Sequence, residues 1–453
     1  TAPDVFYKLD PLTMPHQLIR QADGSFTYGP VTFIDRLVGD DNTNPLPSFV
    51  NNKISHIFFY RNRLGFLTGG SVVLSKAADF FNFFTTSAQI ATDDDPIDIT
   101  AAGTRPTFLN YVLPTAVGLV LYAETEQHLL TTDSDLFSPK TAKIRTLSTY
   151  EADADIAAVS LGTSQAFISK TPLYTRLFEL IDISRDQPPL MNDSTVVVPE
   201  LIPETVNSLV SSPGLSLASL GTKGSADVFQ FRFLTASRQQ RQLSTWYKWT
   251  LTGTLLDQFF DSSTFYTVVA NGTEVTVESF DMSQSSEQGF LTLPTGEKTD
   301  VCLDLFQINP HRTYDETADT TRIFLPYDHV TNKQFTIIVL GGYIGQTTAA
   351  SESIGSVQYI DEADIDTTDS VTNFGHFVDI TGDYRGRNII IGYNYDMELK
   401  LPKLFVYQSE GDNIKNDTES NLILHRLRVQ TGLSGPVDYL VQIAGINDYT
   451  NTV

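Results

Sequence analysis

The stretch that decides the fold is ISHIFFYRNRLGFLTGGSVVL (Ile54–Leu74), flanked by NTNPLPSFV (Asn42–Val50), KAADFFNFF (Lys76–Phe84) and TDDDPIDITAAGTR (Thr92–Arg105). Ile54–Tyr60 is apolar and aromatic, as a strand should be. Arg61-Asn62-Arg63 interrupts it with two fixed positive charges, and Leu64–Leu67 resumes the apolar run. Gly69-Gly70 supplies the positive φ of a tight hairpin turn, and Val72–Leu74 is the return strand. Ser75 is placed to cap a short helix. Phe80, Phe81, Phe83 and Phe84 then form an aromatic plug, and Asp93-Asp94-Asp95-Pro96 closes the unit as an acidic turn. Phe58, Phe59, Leu64, Phe66, Phe81 and Phe83 are expected to pack in one cluster.

Outward from this unit, strand candidates recur about every ten residues, with turn residues between them. They are Phe108–Leu113, Gly118–Ala123, Gln127–Thr131, Ala157–Ser160, Ala166–Ser169 and Thr175–Ile183. Upstream, a turn at residues 11–15 and a short strand around Val31–Ile34 lead in. Glu200–Val210 is the best helix, with Pro203 in its first turn and Ser211-Ser212-Pro213-Gly214 to stop it. Val228–Leu234, Ser244–Leu251, Leu255–Phe260 and Phe265–Ala270 follow, and four such strands in succession suggest one propeller blade. Asn271-Gly272 is a type I′ turn signal answered by alternation over Thr273–Phe280. No strict repeat allows the blades to be counted. The expectation is an all-β chain with a β-propeller-like core and further β subdomains. The core is placed at 1–280, including the 42–105 unit, an inserted β/loop subdomain at 281–373 and a C-terminal β segment at 374–453. Within the insert, 346–373 is acidic and rich in small polar residues and reads as a mobile or partner-facing loop.

The chain has 54 Asp and Glu against 30 Lys and Arg, a net charge of −24. That disfavours grasping nucleic acid, which needs a basic face to displace counterions. The 29 Phe and 19 Tyr favour strands. Cys302 is the only cysteine, so no intrachain disulfide forms and no thiolate cluster holds a metal. The longest apolar stretch, Tyr111–Ala123, is broken by Pro114 and too short to span a membrane.

No P-loop, dinucleotide fingerprint, H-E-x-x-H or nucleophile elbow is present. Gly341 to Gly345 lacks the spacing of a phosphate loop and reads as a strand end or bulge. His16, His56 and His128 show no ligand spacing. Asp93, Asp94 and Asp95 lack the Gly and the distal Glu of a calcium loop, so an acidic structural turn is favoured over a metal site. Glu151, Asp153 and Asp155, and the carboxylates between Asp361 and Asp366, have the spacing of an acid pair, but such pairs are cheap in so acidic a chain. Arg61, Asn62 and Arg63 read either as an interface clamp or as an internal salt bridge to the carboxylates of Asp93–Asp95. Apolar flanks imply burial, where an unpaired Arg is costly, and favour the salt bridge. Trp246 and Trp249 point to opposite faces of a strand and read as core or blade-to-blade contacts.

Seven ordered segments resemble the nozzle proteins (tail tubular protein B family) of short-tailed bacteriophages, the podoviruses. They are MPHQLIR with ADGSF (Met14–Phe26), NTNPLPSFV, FFYRNRLGFL (Phe58–Leu67), FNF (Phe81–Phe83), DDDPIDI (Asp93–Ile99), RQLSTWYKW (Arg241–Trp249) and GRNIIIGYNYDMEL (Gly386–Leu399). The resemblance implies a structural virion protein and no enzyme: a homo-hexameric distal tail tube, conduit and gate for genome ejection, with no cofactor. Its implied partners are a tail adaptor of the tail tubular protein A type, tail fibres, and viral double-stranded DNA passing through without sequence-specific binding. Assembly in the host bacterial cytoplasm is expected, and the chain is expected to be a portion of a longer protein. The alternative is a propeller hydrolase of surface polysaccharide or a receptor-binding tail protein. Arg61, Asn62, Arg63, Asp93, Asp94 and Asp95 are its motif residues. Asp361, Glu362, Asp364, Asp366 and Asp369 are the candidate lumenal or exposed acidic loop.

Overall fold

Alternating apolar residues cut at short intervals by Gly, Pro, Asn and Asp can bury one face only by stacking sheet on sheet. The computed structural model does so throughout. It describes residues 7–398 apart from 104, 238–239, 273, 284–290, 293–297, 300, 345–353 and 368–375, and beyond 398 only four strands. Two units form, Thr1–Ser283 and Gln284–Val453.

In the first unit, β1 (Gln17–Arg20) and β2 (Phe26–Gly29) make an exposed hairpin. Five antiparallel meanders follow in chain order. The first is β3 (Ile54–Tyr60), β4 (Arg63–Thr68), β5 (Ser71–Leu74) and β6 (Ile97–Thr100). The second is β7 (Leu109–Thr115), β8 (Gly118–Ala123), β9 (Gln127–Thr132) and β10 (Ala142–Ser148). The third is β11 (Val159–Ser160), β12 (Gln165–Lys170), β13 (Thr175–Ile181) and β14 (Leu190–Asp193). The fourth is β15 (Ser208–Ser212), β16 (Leu217–Gly221), β17 (Asp227–Ser237) and β18 (Gln240–Thr250). The fifth has three strands, β19 (Thr254–Asp261), β20 (Thr264–Asn271) and β21 (Glu274–Asp281).

Each sheet packs face to face on the next. Leu67, Val72 and Leu74 meet Leu119, Leu121 and Leu130 between the first two. Val120, Tyr122 and Leu129 meet Phe167 and Leu180. Ile168 and Leu177 meet Leu220, Phe229 and Phe231. Val228 meets Leu255, Phe265 and Val269. First strands also adjoin one another. The Ser55 hydroxyl of β3 donates to the Leu109 carbonyl of β7, and that of Ser211 on β15 to the Ser160 carbonyl of β11, both at 2.7 Å. Four-stranded meanders with adjoining inner strands are propeller blades, so the expected all-β, propeller-like core is present. The far face of the first blade is covered by Leu9, Met14, Val31, Phe33, Phe49, Phe83 and Phe84.

Several local expectations are corrected. Residues 200–210 form turns running into β15, not a helix, because Leu209 is needed between blades three and four. Ser75 caps no helix: its hydroxyl accepts the Leu64 N–H at 3.0 Å and ties two strands. Val31–Ile34 is not a strand, since Ile34 hydrogen-bonds the Phe81 carbonyl of the plug instead. The run Val228–Ala270 is not one blade, because the boundary falls between β18 and β19. The β20–β21 hairpin stands as expected, but Asn271 pairs with Glu274 and Gly272 takes φ +62°, so the reversal lies one residue later. The six apolar residues do not make one cluster. Phe66, Phe83, Leu64 and Phe81 join the plug, Phe58 packs toward the second blade, and Phe59 is 59% exposed. Alternation along β3 sends neighbouring rings to opposite faces.

Phe58 lies over Gly65, its cross-strand partner, where an added Cβ would sit 2.4 Å from the ring. Gly65→Ala is therefore expected to destabilise by about 1–3 kcal/mol through overpacking. Urea unfolding reads it, and an unchanged midpoint would mean that the ring moves aside freely.

The second unit holds the hairpin β22 (Leu291–Thr292) and β23 (Lys298–Thr299), then β24 (Asp304–Ile308), β25 (Arg312–Asp315), β26 (Thr320–Phe324), β27 (Phe335–Tyr343), β28 (Ile354–Ile360), β29 (Ile365–Asp366), β30 (Phe377–Thr381) and β31 (Arg387–Tyr393). Two sheets, ordered β24-β31-β27-β28 and β25-β26-β30-β29, enclose Ile323, Phe335, Ile337, Val378, Ile389, Ile391 and Tyr393. The start of the C-terminal β segment, 374–453, supplies β30 and β31 to these sheets. The stretch 346–373, expected as a loop, contains β28, a 3-10 turn at Glu362–Asp364 and β29. Gly341 and Gly342 lie within a register shift near the end of β27, the strand end or bulge expected there. Beyond 398 lie the hairpins β32 (Val406–Glu410) with β33 (Asn413–Asp417) and β34 (Asp438–Val441) with β35 (Tyr449–Thr452). The candidate strand Ile423–Gln430 falls outside the described residues.

Candidate functional site

The motif residues of the opening unit converge on one guanidinium. Tyr60 pairs with Arg63, so Arg61 and Asn62 form the two-residue β3–β4 loop at φ +44° and +60°, the signs a type I′ turn requires. The turn aims Arg63 inward, where it is 2% exposed. Its Nη1 donates to the carbonyls of Ser75 (2.7 Å), Asp94 (3.2 Å) and Asp95 (2.6 Å), and Nη2 to that of Asp93 (3.0 Å). The Arg63-to-acidic-turn link is thus real, but the expected carboxylate salt bridge is not what makes it: the fork grips main-chain oxygens. Burial lowers the Arg63 pKa, and the charges of Asp94 and Asp95 oppose that shift.

The three carboxylates go elsewhere. Asp95 is buried, and its Oδ2 accepts the Thr92 N–H at 2.7 Å. Asp94 reaches Lys76 Nζ at 3.2 Å, and hydrogen bonds from Thr92 and Lys76 hold its carboxyl below the usual range. Asp93 is exposed. Arg61 lies 5.6 Å from the ring centroids of Tyr60 and Phe137, a cation–π position. Sequence reasoning missed Lys76 and Ser75. Their signal was adjacency to the return strand, the nearest place from which a cation and a carbonyl reach the turn.

In the second unit Asp361, Glu362 and Asp364 are exposed and Asp366 is half-buried, while Asp369 lies outside the described residues. Asp364 and Asp366 line a cavity of about 410 Å³ with Arg322, Phe377 and Asp379. Arg322 forks onto Asp379 at 2.9 and 2.8 Å and stacks 3.7 Å above Phe377, so its charge is committed within the fold. Glu362 accepts the Asn332 N–H at 3.3 Å and lies 3.6 Å from His329 Nε2. Of the other candidate carboxylates, Asp153 pairs with Lys170 at 2.8 Å and Glu151 lies 3.9 Å from Arg105. Trp246 donates to the Ser194 carbonyl of the preceding blade, and Trp249 packs on Phe265 and Phe280 of the next, the blade-to-blade role expected of them. Among the described residues no group of His, Cys, Asp and Glu could hold a metal, and no helix is long and apolar enough to cross a membrane.

Two deeply buried imidazoles set a pH dependence. His128 contacts Thr146 Oγ1 at 3.3 Å and lies 3.6 Å from Glu126, and His329 contacts the Tyr393 hydroxyl at 2.8 Å. Burial lowers both pKa values, with Glu126 and Glu362 opposing it. A depressed histidine pKa favours the neutral form in the fold. Its contribution is present above the unfolded value, about 6.5, and lost as pH falls below it, by up to about 1.4 kcal/mol per pH unit for each proton taken up. The urea midpoint should drop as pH falls below about 6.5, and less steeply in His128→Gln. Equal slopes in the two proteins would exclude His128 as a source.

The family model for the bacteriophage nozzle protein matches residues 1–453. Tail tubular protein gp12 of Escherichia phage T7 is 27% identical over 441 residues, covering 95% of this chain and 52% of that protein. The chain thus spans about half the length of this curated relative. Among solved structures, the Pan2 WD40 domain of Neurospora crassa is similar with TM-score 0.31 and 11% identity, over 78% of this chain and 93% of that one. AztD from Citrobacter koseri gives TM-score 0.29 and 11% identity, over 84% and 83%. Such scores decide nothing, and the fold stands on the strand order above.

Proposed function

The chain belongs to the bacteriophage nozzle protein family, a structural component of the phage tail, and from that premise we propose that it builds the distal tube of a short tail as a ring of six copies. The viral double-stranded DNA passes through the ring at ejection, an adaptor of the tail tubular protein A type joins it to the portal side, and tail fibres attach beside it. The ring assembles in the host bacterial cytoplasm. The match across all 453 residues carries this reading.

The acidic balance supports it physically. With 54 acidic against 30 basic residues, and ring contacts favouring near-neutral matched surfaces, the surplus falls on the outside and on the lumen. DNA in a narrow tube passes within about 8–10 Å of the wall, roughly a Debye length. A basic wall would exchange counterions for phosphates and hold the genome, whereas an acidic one lets it slide. Asp361, Glu362, Asp364, Asp366 and Asp369 are candidates for exposed or lumenal places.

Mass measurement with electron-microscopy averages down the particle axis tests the assembly. A six-fold ring is expected, and a monomer that degrades polysaccharide would overturn it. Reversing wall-facing acids to Lys should slow genome release in vitro. Unchanged release would remove the electrostatic part and leave the ring.

A further inference from the structure

In the second unit, the loop between β26 and β27 is fastened at its backbone by titratable side chains. The His329 N–H donates to His376 Nδ1 at 2.6 Å, the Val330 N–H to the Tyr393 hydroxyl at 3.0 Å and the Asn332 N–H to Glu362 Oε2 at 3.3 Å. These acceptors come from three places: His376 just before β30, Tyr393 at the end of β31, and Glu362 in the 3-10 turn ahead of β29. Most backbone amides meet carbonyls instead, which do not titrate. Val330 and Tyr393 both belong to the core that the two sheets enclose.

These bonds assign the protons. Because His376 Nδ1 accepts, its ring is neutral with the proton on Nε2, which lies 3.7 Å from Asp328 Oδ1. The Tyr393 hydroxyl accepts from Val330, so its own proton goes to His329 Nδ1, 2.8 Å away. That leaves His329 protonated at Nε2, 3.6 Å from Glu362 Oε1, on a side chain 2% exposed. Tyr327 packs on Tyr393 at 6.0 Å, and its hydroxyl donates to the Leu305 carbonyl at 2.8 Å. Of the other charged groups on these elements, Lys333 is paired with Asp304 at 3.1 Å, and Asp361 and Asp364 are exposed. The charges that face the two imidazoles are thus Asp328, Glu362 and, once protonated, each other.

We propose that the β26–β27 loop is an acid-released latch, closed while His376 and His329 are neutral and opened when His376 takes up a proton at Nδ1. Protonation turns that nitrogen from acceptor to donor and sets it against the His329 N–H, so the bond between them is lost. Asp328 travels with the loop and faces Nε2 only when the loop is closed, so it opposes release. Its side chain is 40% exposed, and an ion pair in solvent returns less than a buried amide forfeits when it meets another donor. His329 acts in the direction of release. Burial lowers its pKa, Glu362 opposes that shift and His376 adds to it. A histidine held neutral in the closed loop favours closure above its unfolded value, about 6.5, and opening as pH falls below it. Release uncovers Val330 and the Tyr393 hydroxyl while the sheets beneath remain paired.

Hydrogen–deuterium exchange of the full chain tests this at about pH 8 and 5, the ends of the range in which imidazoles titrate, with intrinsic exchange rates corrected at each pH. In wild type, the amides of 328–332 should lose about ten-fold or more of their protection at the lower pH, while 335–339 of β27 keep theirs. In His376→Asn the side-chain carbonyl stands near the place of Nδ1 and accepts the same N–H at every pH, so the loss should shrink to less than about three-fold. Protection of β27 at the higher pH shows that this variant has folded. Asp328→Asn, at a half-exposed position, should keep the loop closed at the higher pH and release it at a less acid pH than wild type. Loop protection unchanged by acid in wild type, or lost equally in His376→Asn, overturns the latch. So does an acid loss that β27 shares, since the whole unit would then be unfolding. If His376→Asn does not fold, Asp328→Asn decides alone, and release at the same or a more acid pH than wild type overturns the latch.

Discussion

Arg63→Ala is expected to lower stability by about 3–5 kcal/mol. The guanidinium is 2% exposed and holds four main-chain oxygens, those of Ser75, Asp93, Asp94 and Asp95. Removing it leaves buried acceptors without donors, each costing about 1–3 kcal/mol where water cannot reach, and opens a cavity beside the first blade. Arg63→Lys should recover only part of the loss. An ammonium is a point charge and cannot span carbonyls on two segments as a planar fork does. Because the fork grips carbonyls, Asp93→Asn and Asp94→Asn should cost little, whereas a carboxylate salt bridge would make them as damaging as Arg63→Ala. Urea unfolding of the four variants separates the cases. Equal losses in Arg63→Ala and the two Asn variants would restore the salt bridge.

Phe66→Ala should cost about 3–5 kcal/mol, and Phe59→Ala less than about 1 kcal/mol. Phe66 is fully buried, edge-on to Phe49 at 5.4 Å and stacked on Phe83 at 5.0 Å, where the plug covers the first blade. Phe59, one strand away, is 59% exposed and meets Phe80 edge-on at 5.1 Å. Truncating the first removes apolar contacts on every side, and the sheet cannot collapse around the void because both faces are already occupied. Truncating the second removes half-solvated surface. Comparable losses at the two positions would mean that something in the assembled protein covers Phe59.

These contrasts mark where sequence reading stops. Alternation with turn residues determined that the chain is all-β, and it placed β8, β9, β12 and the β20–β21 hairpin close to where they stand. Those are local properties, fixed by a period of two and by the backbone angles particular residues allow. The ordered motifs likewise determined the family, because long ordered segments rarely coincide by chance. Tertiary structure alone decided which hairpins share a sheet. The linker between β18 and β19 looks like any other turn, yet it divides two blades, and β30 and β31 cross back to sheets begun some 70 residues earlier. It also decided what Arg63 holds. A sequence displays carboxylates but not the direction of carbonyls, so the charge partner looked obvious and the main-chain partner was invisible. Residues 200–210 took the same course: local preference allowed a helix, but burying Leu209 between two blades required a strand, and packing outweighs propensity when the two conflict.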